Sequence, residues 1–133
     1  MCQVNSVRIN QENDIVCYKV FRKKLFSNKL YSVFQDFTWK VNKVHAIHSY
    51  VPNINYHREI YSNAFHSFQS LDGAQELCAC KNKESILVFS KYVVYECIIP
   101  KNSKFVYSGY TMLKDYTASF ASEKLIPIKQ VYI

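Results

Sequence analysis

Hydrophobic and polar positions follow a two-residue period in several short segments of the chain. In segment 14–24, apolar residues occupy both faces of the first half, which predicts a strand in the middle of a sheet. Segment 34–47 alternates, with Phe37 and Trp39 on one face and polar residues on the other. That alternation predicts a half-buried strand. Residues 48–61 show no dominant period and are predicted to form a loop.

The strongest β pattern runs over residues 85–107. Its two apolar runs flank Ser90-Lys91, which predicts a tight turn or a bulge, and Pro100 ends the second run. Gly109 predicts a further turn. The last predicted strand contains Pro127, and because proline cannot donate to a β-ladder, the sequence predicts that this strand lies at a sheet edge.

Helix signals occur in one place, directly after the segment Phe65–Phe68. Ser70 is a suitable N-cap and Asp72 suits the positive end of a helix dipole. Apolar residues then recur at three- and four-residue steps. They are Leu71, Ala74, Leu77 and Cys78. The sequence therefore predicts one short helix from Ser70 to Cys80.

Length and composition indicate the fold class. The chain has 133 residues, of which 16% are aromatic, and it has two glycines. Aromatic and β-branched residues favour a pleated, half-buried surface, and a chain of this length fits one domain. We predict a single α+β domain, residues 1–133, with a mainly antiparallel twisted sheet and the helix packed on one face. Residues 1–13 are expected to form an arm or an edge strand.

Charge and cysteine content indicate the surroundings in which the chain acts. The formal net charge is +7, which favours an anionic partner or serves solubility alone. The five cysteines form an odd set without disulfide-framework spacing, and the first nineteen residues lack an apolar core typical of a signal peptide. No apolar run is long enough for a membrane span. We expect a cytoplasmic protein that does not act at a membrane.

Three kinds of chemistry find little support in the residues. Cys78 and Cys80 are two positions apart, so on a helix their side chains point in different directions and cannot share one metal ion. A cysteine nucleophile at Cys17 or Cys97 would need His66 nearby as a base. The two glycines are isolated, which excludes a glycine-rich phosphate loop. We therefore expect no metal and no cofactor.

Five short motifs give the chain a resemblance to a family. They are MCQVN, DIVCYKV, FHSFQSLDGAQE, VYECIIPKNSKF and ASEKL, in that order along most of the chain. With them the chain resembles small uncharacterised proteins of gut bacteria and their phages. Proteins of such mobile elements often act as accessory or anti-defence factors, and the resemblance implies a role of that kind without an established activity.

A second resemblance is to the ADP-ribosyltransferase fold. CYKV would be its first element, FHSFQSLDGAQEL its second and ASEKLIPI its third. The resemblance implies an enzyme that uses NAD, with Tyr18, His66 and Glu123 lining one cleft. Glu123 would stabilise the oxocarbenium-like transition state. Lys19 stands where that family has a His or an Arg.

Three functions follow as hypotheses. The leading one is a non-enzymatic binding protein that acts on a host or phage protein or on a nucleotide-type ligand. The second is the ADP-ribosyltransferase-like enzyme. The third is a nucleic-acid-binding protein, because basic and aromatic residues interleave in a way that can track phosphates and stack bases. Its candidate contacts are Lys19, Arg22, Lys23, Lys24, Lys101 and Lys104. The oligomeric state is not predicted by any of these patterns.

Overall fold

The computed structural model describes residues 8–10, 12–24, 27, 29–33, 37–47, 64–84, 90–110 and 117–132. One helix and ten strands lie in this part of the chain. In chain order they are β1 (Arg8–Ile9), β2 (Ile15–Lys24), β3 (Leu30–Ser32), β4 (Thr38–Trp39), β5 (His45–Ala46), β6 (Phe65–Phe68), α1 (Leu71–Glu84), β7 (Ser90–Ile99), β8 (Lys104–Tyr110), β9 (Thr117–Ser122) and β10 (Lys124–Val131). Every strand pair is antiparallel. The predicted α+β class, mainly sheet with one helix, is confirmed.

Strand β2 is the centre of the sheet, as its two apolar faces predict. It pairs along its whole length with β7, from Ile15 opposite Ile99 to Lys24 opposite Ser90. On its other side it pairs with β6 near Tyr18 and with β3 from residue 21 to 23. The strand order is β1-β8-β9-β6-β2-β7-β10-β5, with β3 and β4 continuing from β2.

The two faces of β2 are covered by two hydrophobic clusters. One face carries an aromatic core in which Phe21 packs edge-on against Trp39 at 5.4 Å and against Tyr95 at 5.7 Å. Trp39 reaches this core through β3 and β4, because β3 pairs with β2 and β4 pairs with β3. Such edge-to-face contacts favour a fixed arrangement of the rings.

The other face of β2 is covered by helix α1. Ala74, Leu77 and Cys78 pack there against Val20 and Val94. The Ser70 hydroxyl accepts a hydrogen bond from the backbone N–H of Gly73 at 3.3 Å, so the predicted N-cap is confirmed.

The helix is longer than predicted and ends at Glu84 rather than at Cys80. Lys81 and Lys83 lie in its last turn, where positive charge complements the helix dipole. Asn82 joins this turn to β7: its side chain donates to the backbone carbonyl of Tyr92 at 3.0 Å and accepts from the Tyr92 N–H at 2.9 Å.

The strand predicted over residues 34–47 is wrong in extent. It divides into β4 and β5, with a turn at Val41 and Asn42 between them. Asn42 has a φ of 62°, a conformation that asparagine tolerates better than most residues. Its N–H donates to the carbonyl of Pro127 at 2.7 Å. The alternation holds for Phe37 and Trp39 alone, whose rings are 5.0 Å apart.

Three turn and edge predictions are also corrected. Ser90 and Lys91 begin β7 instead of forming a turn or bulge, and Gly109 lies inside β8, opposite Ala118. Pro127 is not in an outermost strand, because β10 pairs with both β7 and β5. The β5 pairing stops at Leu125, and the register with β7 shifts just after Pro127, so the proline sits at an irregular part of the ladder. The strand end at Pro100 is confirmed, and most of the predicted loop 48–61 lies outside the described residues.

Candidate functional site

A pocket of about 410 Å³ opens between the ends of several strands. Its lining residues are Lys23, Lys29, Trp39, Lys40, Val41 and Tyr95. Half of these residues carry a positive charge and none carries a negative one. Aromatic and apolar side chains form the rest of the wall, which is the usual composition of a small-molecule site apart from its high charge.

Three strands and one turn place these side chains. Lys23 lies near the end of β2, and its ammonium donates to the side-chain oxygen of Gln130 on β10 at 3.3 Å. Trp39 is fixed by a hydrogen bond of 2.7 Å from its Nε1 to the Ser32 hydroxyl. The turn that carries Lys40 is held by the imidazole of His45, whose Nε2 accepts from the Lys40 N–H at 3.0 Å. The walls of the pocket are therefore held in place by strands and by hydrogen bonds of their side chains.

The charge of the pocket is not neutralised by the carboxylates whose contacts the structure defines. Glu96 pairs with Lys129 at 3.8 Å. Asp14 accepts from the backbone N–H of Lys101 at 2.9 Å, and Glu123 accepts from that of Lys104 at 3.0 Å. None of these acidic residues lines the pocket. Lysines around a pocket with no carboxylate among its described lining residues favour an anion, since each lysine acts as a point charge toward phosphate or carboxylate.

Lys19, a predicted ligand contact, lies inside the fold. Its ammonium donates to the backbone carbonyl of His66 at 2.6 Å and lies 5.9 Å from the ring centroids of both Phe21 and Trp39. Burial, opposed by the nearby thiols of Cys97 and Cys17, lowers the Lys19 pKa to about 8. The residue keeps part of its surface in contact with solvent.

The other predicted basic residues divide between the two ends of the sheet. Arg22 and Lys24 flank the ring of Tyr31, at 5.0 and 5.2 Å. Lys101 and Lys104 are exposed in and after the β7–β8 turn, beside the other end of β2. At ~3.3 Å per residue, the ten steps from Asp14 to Lys24 separate the two groups by about 30 Å. The six residues do not form one patch, and of them Lys23 lines the pocket.

Tyr18 and His66 lie close together, on neighbouring strands, whereas Glu123 lies further along the sheet. Tyr18 pairs with Phe68, and Phe68 pairs with Ser119 of β9. Glu123 follows the end of β9, four residues beyond Ser119 and two residues beyond Ala121, which pairs with His66. Burial, together with the charge of Lys19, lowers the His66 pKa to about 4, so the imidazole is neutral near pH 7.

The cysteines sit in apolar surroundings. Cys17 and Cys97 are directly opposite each other on β2 and β7 and are fully buried. Burial raises the pKa of the Cys17 thiol to about 12 and raises that of Cys97 well above its usual value, so both stay protonated at neutral pH. On the helix, Cys78 is buried and Cys80 is exposed, as their spacing predicts. Among the described residues no group of three or more His, Cys, Asp and Glu side chains could hold a metal ion.

Sequence patterns missed most of the pocket. Lys29, the adjacent pair Trp39-Lys40, and Tyr95 are separated along the chain and line one pocket because β3 pairs with β2 and β4 pairs with β3. The adjacent Trp39-Lys40 pair, with the single tryptophan of the chain, is the one local signal. In the part of the chain that the structure describes, no helix has the length and apolar character needed to cross a membrane. Comparison with protein-family profiles, with curated proteins and with solved structures found no match to the chain.

Proposed function

We propose that the chain is a non-enzymatic binding protein that holds a nucleotide-type anion in the lysine-lined pocket. The observation that carries the proposal is that Lys23, Lys29 and Lys40 line one pocket whose described lining residues include no carboxylate. The volume of about 410 Å³ falls within the range of ~300–1,000 Å³ typical of small-molecule sites. Phosphate groups would contact the lysines, and the apolar part of the ligand would contact Val41, which is exposed at the pocket.

The resemblance to small proteins of gut bacteria and their phages supports a biological setting for this binding. An accessory or anti-defence factor of a mobile element acts in the cytoplasm of its host and can work by sequestering a nucleotide-type signal. Sequestration requires binding without turnover, and none of the described lining residues is a histidine or a carboxylic acid.

The pocket contains its own reporter. Trp39 is buried in the wall of the pocket and is the single tryptophan of the chain, so its fluorescence is sensitive to a charged ligand bound beside it. Titration with ATP and with tripolyphosphate is expected to change the emission, whereas adenosine, which lacks phosphate, is expected to leave it unchanged. A fluorescence response to adenosine equal to that for ATP would show that the lysines do not determine binding.

Matched lysine variants separate pocket binding from general charge attraction. Lys40→Gln and Lys29→Gln each remove one exposed positive charge at the pocket, and Lys101→Gln removes one at the far end of β2. We expect ATP affinity to fall about tenfold or more for the pocket variants, since a charge-assisted hydrogen bond contributes ~1.5–3 kcal/mol, and to stay within about twofold for Lys101→Gln. Equal losses in all three variants would contradict a pocket site.

Nucleic-acid binding is the neighbouring alternative, because the same lysines can contact a phosphate backbone. A single-stranded oligonucleotide that neutralises several lysines loses affinity steeply with salt, in proportion to the number of phosphates contacted. ATP in the pocket engages few phosphates and is expected to show a shallow dependence. Binding of an oligonucleotide at least a hundredfold tighter than ATP, with a steep salt slope, would favour the nucleic-acid function.

A further inference from the structure

Four polar or nucleophilic side chains lie close together on strands β6, β2 and β7. They are Ser67, Cys17, Lys19 and Cys97. Lys19 and Ser67 are both near enough to the Cys17 thiol to lower its pKa against the larger opposing effect of burial. This interior group is distinct from the lysine-lined pocket, whose lining includes none of its members.

The Lys19 amine has no anionic partner among the described residues. Its one hydrogen bond goes to the neutral carbonyl of His66, and its other neighbours are the rings of Phe21 and Trp39. A buried cation without a counter-ion is costly, so burial favours the neutral amine. The neutral amine carries a free electron pair and is a nucleophile.

Ser67 supplies a second, independent observation. The residue is 2% exposed, and its hydroxyl has no hydrogen-bond partner among the described groups. Its approach to the Cys17 thiol therefore falls short of a full hydrogen bond. Buried hydroxyls without a partner are uncommon in native proteins, and this one is free to bond an oxygen atom of a molecule that reaches Lys19.

We propose that Lys19 is a covalent capture site for a small carbonyl compound, an aldehyde or a ketone. The deprotonated amine attacks the carbonyl carbon, which forms a C–N bond and gives a carbinolamine. The carbinolamine oxygen then leaves as water, which breaks the C–O bond and leaves an imine on Nζ. No oxidant or reductant is consumed, and water returns the amine and the carbonyl compound.

The neighbouring groups fit these steps. Ser67 can donate a hydrogen bond to the carbinolamine oxygen as it forms. Cys17 and Cys97 stay protonated at neutral pH and do not compete as thiolates, and His66 is neutral there. The Lys19 residue is half-buried, and the proposal requires that a carbonyl compound as small as acetaldehyde reach its amine. This inference does not rest on nucleotide binding.

Reductive trapping tests the capture site directly. The probe is acetaldehyde at limiting concentration with cyanoborohydride, which converts an imine into a stable N-ethyl group, followed by peptide mass mapping. A pKa of about 8 in place of 10.5 gives Lys19 about 300-fold more free amine than an unshifted lysine at pH 7. Restricted access offsets part of that, so we expect Lys19 to react at least tenfold faster than exposed Lys101 or Lys129.

The pH profile and matched variants complete the test. The rate of alkylation at Lys19 is expected to level off above about pH 8, whereas the rate at exposed lysines is expected to keep rising with pH. Lys19→Arg keeps the positive charge and removes the nucleophile, so it is expected to abolish the fast phase, whereas Lys91→Arg, at an exposed position of the paired strand β7, keeps it. Ser67→Ala is expected to slow the fast phase. If Lys19 of the unmodified protein reacts no faster than Lys101, the capture site is wrong, whatever the variants do.

Discussion

The ammonium of Lys19 donates a hydrogen bond of 2.6 Å to the backbone carbonyl of His66 and so ties β2 to β6. The two strands are otherwise joined in register at Tyr18 and Phe68. A side chain therefore supplies a connection that the backbone ladder supplies elsewhere in the sheet. Because the donor is a buried cation, the strength of this connection changes with pH.

The first prediction concerns the Lys19 charge. The Lys19 pKa is about 8 in the folded state and 10.5 without burial, so the unfolded chain binds more protons between these values. Stability therefore rises with pH across that window. We expect the free energy of unfolding of the unmodified protein, relative to Lys19→Met, to increase by about 1 kcal/mol from pH 7.5 to 9.5. Urea denaturation of both proteins at the two pH values measures this, and parallel pH profiles would refute it.

The second prediction concerns His66 in acid. Burial and the neighbouring Lys19 charge lower the His66 pKa from 6.5 to about 4, so the unfolded chain binds more protons between these values. Stability is therefore lost as the pH falls from 6.5 toward 4. We expect the free energy of unfolding to fall between pH 6.5 and 4.5 by about 1–2 kcal/mol less in His66→Gln than in the unmodified protein. Chemical denaturation at both pH values tests this, and an equal loss in both proteins would assign the acid sensitivity to other groups.

The third prediction concerns the tryptophan that closes the aromatic core. Trp39 is fully buried, and its indole N–H bonds the Ser32 hydroxyl at 2.7 Å. Trp39→Ala is expected to cost about 3–5 kcal/mol through the cavity it leaves. Ser32→Ala leaves the indole N–H unpaired and is expected to cost about 1–2 kcal/mol. Exposed Thr38 on the same strand gives the control, because Thr38→Ala should change the free energy of unfolding by less than about 0.5 kcal/mol.

The fourth prediction concerns the junction of helix and sheet. The Asn82 side chain both donates to and accepts from the backbone of Tyr92, as a paired strand would. Asn82→Ala is expected to cost about 1–2 kcal/mol and to speed hydrogen exchange at the Tyr92 amide. Asn82→Asp keeps the acceptor and loses the donor, so its free energy of unfolding should lie between those of the unmodified protein and Asn82→Ala. Lys83→Ala, one residue away and exposed, is the control, and an equal effect there would deny a special role to Asn82.

The fifth prediction separates binding from catalysis. The Glu123 carboxylate accepts from the Lys104 N–H at 3.0 Å, and glutamine keeps an oxygen acceptor, so Glu123→Gln is expected to fold normally. A non-enzymatic binding protein releases no nicotinamide from NAD in either form. Nicotinamide release by the unmodified protein that disappears in Glu123→Gln would establish the transferase hypothesis in its place.

The central part of the fold could be predicted because its signals are local. Two apolar faces predicted that β2 is central, Ser70 predicted the helix start, and Pro100 predicted a strand end. The failures occur where distant contacts override local preference. Gly109 lies inside β8, opposite Ala118 in the ladder, and β4 stops early because Asn42 turns the chain and donates to the Pro127 carbonyl.

The candidate site was harder to predict, because the sequence shows which residues are charged but not where their side chains lie in the fold. Lys19 and Lys23 share a face of one strand, yet Lys19 lies against Phe21 and Trp39 while Lys23 lines the pocket. Lys40 lines the same pocket as Lys23 because β3 pairs with β2 and β4 pairs with β3. No period or spacing in the sequence encodes those pairings.

The pairing of β2 with β7 has a consequence for how the protein is made. The two strands meet in one ladder, from Lys24 with Ser90 to Ile15 with Ile99, although a long stretch of chain separates them. During synthesis, β2 leaves the ribosome without its main partner and waits until most of the polypeptide has been translated. The edge of β2 that pairs with β7 stays open during that interval, which is when non-local sheets are most exposed to aggregation. Chaperone access to the nascent chain is therefore most valuable before β7 emerges.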